Sequence, residues 1–180
     1  LLARLPGGSL LAVDGSAAMV ARARERLGDR VSYLVADLSE LQVGEPVELV
    51  FSTATFHWIL DHERLFARLR AALRPGGRLV AQCGGAGNVA DHAEAIARVL
   101  ARPEFAPHFD QAEGVWNFAG PEETEARLAA AGFAEPRCWL QPKPVQPADP
   151  LAFIETVTLG PLLAQLQEER RRPFAMAVLD

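Results

Sequence analysis

The stretch 47–82 constrains the fold most, because it contains a strand pattern, a helix pattern and a second strand pattern in close succession. Its first residues, Val47 to Phe51, form an apolar run with the length of a buried strand, and residues 78–82 are predicted to form a second strand. Two strands joined by a helix through short connections pack as a parallel crossover unit. The stretch therefore predicts an α/β protein with a parallel sheet.

The helix between these strands is predicted over residues 61–73. Leu65 and Leu69 recur at helical spacing, and the carboxylate of Asp61 can accept a hydrogen bond from a free amide of the first turn. The run Pro75-Gly76-Gly77 is predicted to end this helix.

The same alternation begins nearer the amino end. Strands are predicted over 9–13 and 31–35, with a helix between them that is capped by Ser16 and ends near Leu27. A single parallel sheet is predicted from segments near Leu10, Ser32, Val50 and Val80. Further along the chain the pattern predicts helices over 91–102, 121–131 and 151–166 and from Arg170, and a strand over 133–140.

Charge and cysteine usage exclude several classes of protein. The net charge of −5 and pI of about 5.4 argue against a broad nucleic-acid face, which needs clustered Lys and Arg. Cys83 and Cys138 lack metal-ligand spacing, so we expect no metal site and a reduced, cytoplasmic setting. No apolar run has the ~18 residues that a membrane span needs. We expect no nucleic-acid partner and no membrane partner; the oligomeric state stays open.

Polar side chains follow three of the predicted strands. Asp14 follows the first, Asp37 the second and Ser52 the third. Because the carboxyl ends of parallel strands meet at one edge of a sheet, and ligands bind beyond that edge, we expect these residues to lie together at a binding site.

Four motifs carry a resemblance to a known family. They are D-x-S-x-x-M at 14–19, ADL at 36–38, FSTATFHW at 51–58 and LRPGGRL at 73–79. Together they resemble the class I S-adenosylmethionine-dependent methyltransferases. The HW pair and the helical segments of the second half look most similar to the trans-aconitate methyltransferase group.

The resemblance implies a Rossmann-like three-layer sandwich with a mostly parallel sheet. It implies one domain over 1–180, with helical lid insertions at about 86–119 and 146–180. In the family, a strand with a glycine-rich loop comes before the segment that matches Leu1, and a last strand comes after the one that matches Asp180. The resemblance therefore implies a fragment, and we expect residues 1–180 alone to be inactive.

S-adenosylmethionine is the cofactor that the resemblance implies. Asp14 would accept hydrogen bonds from the ribose hydroxyls, Asp37 would accept one from the adenine amino group, and the Leu38 amide would reach a ring nitrogen. Met19 would pack on adenine, although a place in the core is an equal alternative. The complete expected cofactor-binding set is Asp14, Gly15, Ser16, Met19, Asp37, Leu38, Ser52, Thr53 and Ala54.

His57 and Trp58 are the residues that we expect to border the substrate. A carboxylate acceptor is ionised at neutral pH and needs no general base, whereas a hydroxyl or amine acceptor does, and His57 is then the first catalytic candidate. A structural histidine and a core tryptophan remain open alternatives. For Cys83 we expect a structural role, because nothing near it in sequence activates a thiol.

Two other functions remain open. A dinucleotide-dependent dehydrogenase would share the aspartate at a strand end, but it would not explain the LRPGG and FSTATFHW motifs. A degenerate or truncated Rossmann-like domain without catalysis is the second alternative. The leading hypothesis is methyl transfer to a small-molecule acceptor such as a carboxylate.

Overall fold

The computed structural model describes residues 7–109 and 116–180 of the chain. Part of the predicted insertion 86–119, namely residues 110–115, therefore lies outside the described residues. The strands are β1 (Leu11–Asp14), β2 (Ser32–Val35), β3 (Val47–Thr53) and β4 (Leu73–Gln82). The helices are α1 (Ala17–Leu27), α2 (His62–Ala72), α3 (Ala90–Leu100), α4 (Pro121–Ala130), α5 (Pro150–Phe153), α6 (Gly160–Gln165) and α7 (Glu168–Leu179).

The two predicted helix caps are confirmed. Ser16 accepts a hydrogen bond at its Oγ from the Met19 amide, 3.3 Å away, and so begins α1. Asp61 accepts one at Oδ1 from the Arg64 amide, 2.9 Å away, and so begins α2. Such a cap satisfies an amide that has no partner within the helix and contributes about 1 kcal/mol.

The first strand pair is parallel, with α1 as its crossover helix. Leu11 lies opposite Ser32, and Asp14 lies opposite Val35. The aromatic ring of Tyr33 lies under the Arg24 guanidinium of α1, 5.1 Å from it, and so links helix and strand. The strand–helix–strand pattern predicted for this region is confirmed.

The second pair, β3 and β4, is also parallel, with α2 as its crossover helix. The predicted end of α2 is correct to within a residue, but the proline–glycine run does not form a separate turn. It lies inside β4, where the register shifts between Val47 and Leu49 of the partner strand. Gly76 has a φ of +76°, which glycine adopts readily, so the extra residues can bulge out of the strand.

Two further expectations about strands differ from the structure. The described residues form two two-stranded sheets, β1–β2 and β3–β4, instead of one continuous sheet. The strand predicted over 133–140 is not formed; Trp139 there is 74% exposed. A strand needs a neighbouring strand to take its backbone hydrogen bonds, and an apolar run alone does not supply one.

The chain divides into two compact units, which are described separately. The first comprises Leu1–Thr53, Asp61–Gln82 and Ala126–Pro136; the second comprises Ala54–Leu60, Cys83–Glu125 and Arg137–Asp180. In the first unit, α2 buries Leu65, Phe66 and Leu69 almost completely, as their helical spacing predicts. The single domain with two insertions stays a prediction.

The second unit has an apolar core of its own, made largely by its helices. Phe174 of α7 is fully buried, and its ring meets that of Phe105 edge-on at 5.2 Å. The predicted helix 151–166 is confirmed with an interruption, because a π-helical turn over Ile154–Thr158 separates α5 from α6. Within the described ranges, no helix is both long and apolar enough to cross a membrane.

Candidate functional site

Asp14 is the last residue of β1 and is exposed. Its Oδ1 accepts a hydrogen bond of 2.8 Å from the Ser16 amide, which fixes the carboxylate at the turn before α1. Its other oxygen, Oδ2, has no hydrogen-bond partner among the residues that the structure describes. The carboxylate therefore presents a fixed, charged acceptor at the carboxyl end of a parallel strand.

Asp37 occupies the corresponding place beyond β2. Its Oδ1 accepts hydrogen bonds of 2.8 Å from both the amide and the hydroxyl of Ser39, and it begins a 3₁₀ turn over Leu38–Glu40. The Ser39 amide, then the Ser39 hydroxyl and the nearby Arg64 guanidinium, lower the pKa of the Asp37 carboxyl below its ordinary value. Asp37 is consequently ionised at neutral pH and can accept a hydrogen bond.

Arg64 of α2 stabilises the turn that follows Asp37. Its Nε donates to the Ser39 carbonyl at 3.1 Å, and its guanidinium forms an ion pair with Glu40. The sequence analysis missed this residue, because the contact joins positions 25 apart and arginines on helix surfaces are common.

The parallel register brings the two carboxylates to one edge of the β1–β2 sheet. Asp14 lies opposite Val35, and Asp37 follows Val35 by two residues. Gly15, Ser16 and Leu38 lie at the same edge, since they follow the same strand ends. Met19, on the first turn of α1, is 53% exposed, which argues against a place in the core.

Ser52 and Thr53 form the carboxyl end of β3, where they lie opposite Ala81 and Gln82 of β4. The next residue, Ala54, has a φ of +55°. This left-handed conformation costs a residue with a side chain about 1–2 kcal/mol, and such strain is concentrated at functional turns.

His57 lies in a 3₁₀ turn over Phe56–Trp58 of the second unit and is half-buried. Its Nδ1 accepts a hydrogen bond from the Gly84 amide at 3.2 Å, and its carbonyl accepts one from the Asn117 amide at 2.9 Å. The Asn117 side chain also donates to the Leu60 carbonyl at 2.7 Å. Three separate segments of the chain are thus joined around this histidine.

Four rings form what we call the aromatic cluster: His57, Trp58, Trp116 and Phe118. His57 stacks on Phe118 at 5.6 Å, Phe118 stacks on Trp116 at 5.6 Å, and Trp58 lies 6.2 Å from Trp116. Trp58 is 36% exposed, so it is not a core residue. The cluster presents a partly exposed aromatic surface beside one polar imidazole.

Cys83 precedes Gly84 and is partly buried. Burial raises the pKa of its thiol, and a hydrogen bond from the His57 backbone only partly offsets this. Burial likewise raises the pKa of Cys138, together with the charge of Glu125. Both thiols stay protonated at neutral pH, so neither is activated as a nucleophile, and the structural role expected for Cys83 stays a prediction. No group of three candidate metal ligands occurs within residues 7–109 and 116–180.

The structure brings some of the predicted site residues together. Asp14, Gly15, Ser16, Asp37 and Leu38 share the edge of one sheet, whereas Ser52 and Thr53 end a strand of the other sheet. Ala54, His57 and Trp58 belong to the second unit. That all these residues bind one cofactor and substrate stays a prediction.

Gly84, Asn117 and Phe118, which hold His57, were not predicted as site residues. The only sequence signals were the glycine-rich run after β4 and the high aromatic content of 103–120.

Comparison with known proteins supports the resemblance to methyltransferases. A family described as "Methyltransferase domain" matches residues 1–81. The trans-aconitate 2-methyltransferase of Methylobacterium nodulans is 35% identical over 133 residues, which cover 73% of this chain and 51% of that protein. The enzyme of the same name from Acidovorax sp. is 40% identical over 82 residues, covering 46% of this chain and 31% of that protein. The chain thus spans about a third to a half of the length of these curated relatives.

One solved structure supports the fold alone. It is a phosphoethanolamine N-methyltransferase 2 from Haemonchus contortus, in complex with phosphomonomethylethanolamine and S-adenosylhomocysteine. Its sequence is 22% identical to this chain, and the match covers 98% of this chain and 40% of that chain with a TM-score of 0.55.

These findings define an α/β protein with a Rossmann-like fold, as the sequence predicts. Residues 1–81 match a methyltransferase family, which supports the resemblance of the chain to the class I S-adenosylmethionine-dependent methyltransferases. The curated relatives are similar to the chain and carry the name of the trans-aconitate methyltransferase group. The matches do not support the dehydrogenase alternative.

Proposed function

We propose that the protein transfers a methyl group from S-adenosylmethionine to a small-molecule acceptor, and that this acceptor is a carboxylate. The observation that carries the proposal is the pair of fixed carboxylates, Asp14 and Asp37, at one edge of the parallel β1–β2 sheet. The family and the names of the related enzymes support the reaction type and the class of acceptor.

The two carboxylates fit a nucleoside. No described residue donates a hydrogen bond to Oδ2 of Asp14, and a carboxylate at the end of a strand can accept hydrogen bonds from ribose hydroxyls. Asp37 is ionised and exposed, so it can accept a hydrogen bond from an exocyclic amino group. In this proposal Gly15, Ser16, Met19 and Leu38 complete the nucleoside contacts.

The remaining predicted residues have separate roles in the proposal. Ser52, Thr53 and Ala54 face the amino-acid end of the cofactor, and His57 and Trp58 border the acceptor. When bound, the cofactor supplies an activated methyl group on a sulfonium. The protein then has to align the acceptor oxygen with that carbon and exclude water, and alignment is worth ~7–11 kcal/mol in favourable cases.

The experiment uses the full-length protein. Titration calorimetry with S-adenosylhomocysteine tests the cofactor, and transfer of a labelled methyl group to trans-aconitate and to a panel of other carboxylic acids tests the acceptor. The proposal predicts saturable binding and a methyl ester as the product. Binding of a nicotinamide dinucleotide instead, or methylation confined to amines, would contradict it.

A further inference from the structure

The hydrogen bond between Gly84 and His57 determines where the imidazole carries its proton. A backbone amide can only donate, so the Nδ1 atom that accepts from it at 3.2 Å must be unprotonated. A neutral imidazole with an unprotonated Nδ1 carries its hydrogen on Nε2. His57 is therefore held as the tautomer whose second nitrogen is a hydrogen-bond donor.

The surroundings fix the ring in that orientation. Phe118 stacks on the imidazole with an interplanar angle of 27°, and the Asn117 amide holds the His57 carbonyl. Both contacts come from a segment that is distant in sequence, so the position of the ring does not depend on its own turn alone.

Gly84 is suited to this place because it has no side chain. A Cβ at this position would lie 2.7 Å from Cε1 of Phe118 and 2.6 Å from Nδ2 of Asn88. Any other residue would displace the ring on which His57 stacks or move the amide that His57 accepts from. The close approach of the backbone and the choice of tautomer therefore depend on the same glycine.

We propose that His57 orients the methyl acceptor by donating a hydrogen bond from Nε2 to an acceptor oxygen, and that Gly84 is the positioning residue that selects this tautomer. The inference rests on the proposed function and deepens it. A histidine held in this form has no unprotonated nitrogen left to act as a base through Nε2. The site then suits an oxygen that is already anionic, such as a carboxylate, because no proton has to be removed from it.

The opposite tautomer carries a specific cost. A hydrogen on Nδ1 would face the Gly84 amide hydrogen, and both donors would lose their hydrogen bond in a partly buried place. General-base catalysis through Nε2 requires that tautomer. The two roles of His57 can thus be separated by locating one proton.

Nuclear magnetic resonance locates that proton without any turnover. In protein labelled with ¹⁵N histidine, at a pH where the ring is neutral, long-range ¹H–¹⁵N correlations distinguish protonated from unprotonated ring nitrogens. We expect His57 with a protonated Nε2 and an unprotonated Nδ1. A protonated Nδ1 overturns the proposal.

A Gly84→Ala variant tests the positioning role, with Gly120→Ala as the matched control, because a Cβ at Gly120 meets no atom closer than 4.0 Å. We expect a mixture of tautomers in Gly84→Ala and the parental spectrum in Gly120→Ala. A parental His57 spectrum in a folded Gly84→Ala variant contradicts the role of Gly84.

Replacements of His57 test donation to the substrate in the parental Gly84 background. Asn places an oxygen near Nδ1 and keeps the bond from Gly84, whereas Gln reaches far enough to place an amide donor near Nε2. For the carboxylic acid that the protein methylates, we expect His57→Asn and His57→Phe to raise KM by roughly 10- to 150-fold and His57→Gln to stay near the parental value.

Equal loss of kcat in all three variants with unchanged KM would indicate a base and overturn the inference. The proposed function fails separately, through absence of S-adenosylhomocysteine binding in the parental protein. The tautomer measurement stands whichever way that binding result falls.

Discussion

Replacing Asp14 by asparagine tests the role of a single oxygen atom in the proposed cofactor site. The side-chain carbonyl oxygen of the introduced asparagine can still accept the 2.8 Å hydrogen bond from the Ser16 amide, so the turn before α1 should persist. What changes is Oδ2, a charged acceptor that becomes an NH₂ donor. A hydrogen bond to a charged group contributes about 1.5–3 kcal/mol, so we expect S-adenosylhomocysteine to bind roughly 10- to 150-fold more weakly.

Titration calorimetry of the full-length protein at fixed ionic strength measures this change. Asp29→Asn is the matched control, because it removes the same charge from an exposed turn at the end of α1. The thermal midpoints of both variants should match that of the parental protein. A dissociation constant for Asp14→Asn within about twofold of the Asp29→Asn value would refute the ribose role of Asp14.

Three further changes test other parts of the structure. Arg64→Gln removes the contacts that support the turn after Asp37, and it should weaken S-adenosylhomocysteine binding by up to about fivefold, the range expected for an exposed ion pair. Calorimetry measures this change against a control variant at an exposed position, Arg22→Gln. Equal effects of the two substitutions would contradict the supporting role of Arg64. Asp37→Asn should be less stable than the parental protein in urea at neutral pH. The lowered pKa of Asp37 means that its stabilisation is fully present above the ordinary aspartate pKa of about 3.9 and is lost as pH falls through the still lower folded-state value. The difference between the two proteins should therefore begin to shrink only as pH falls below about 4, and a pH-independent difference would show that the hydrogen bonds to Ser39 do not stabilise the charge. Phe174→Ala should lower the free energy of unfolding by about 3–5 kcal/mol, because it leaves a cavity at a fully buried position beside Phe105. Met176 on the same helix is 45% exposed, so Met176→Ala should lower the free energy of unfolding much less. Similar urea midpoints for the two variants would contradict the assignment of Phe174 to the core of the second unit.

Local features were predicted well from the sequence, because their causes lie within a few residues. Ser16 and Asp61 each cap a helix through an amide three positions ahead, so a short window contains the whole interaction. The alternation of strands and helices in the first 82 residues follows from apolar spacing in the same way. Asp14 and Asp37 could be placed at one edge because parallel strands impose it.

Pairing between distant segments could not be predicted in the same way. The run at 133–140 has the composition of a strand, but whether it becomes one depends on a partner strand elsewhere in the chain. The bond from Gly84 to His57 joins residues 27 apart, and nothing in either local sequence specifies it. The tautomer of the histidine, and with it the chemistry available to it, follows only from coordinates.

The left-handed backbone at Ala54 limits how this position can vary over evolutionary time. Glycine adopts that conformation without the cost that alanine bears, and a single base change converts an alanine codon to a glycine codon. A β-branched residue would bear a larger cost. A single substitution at the residue that directly follows β3 can therefore make the chain more stable. Retention of alanine across natural variants would be a sign of selection for its methyl group.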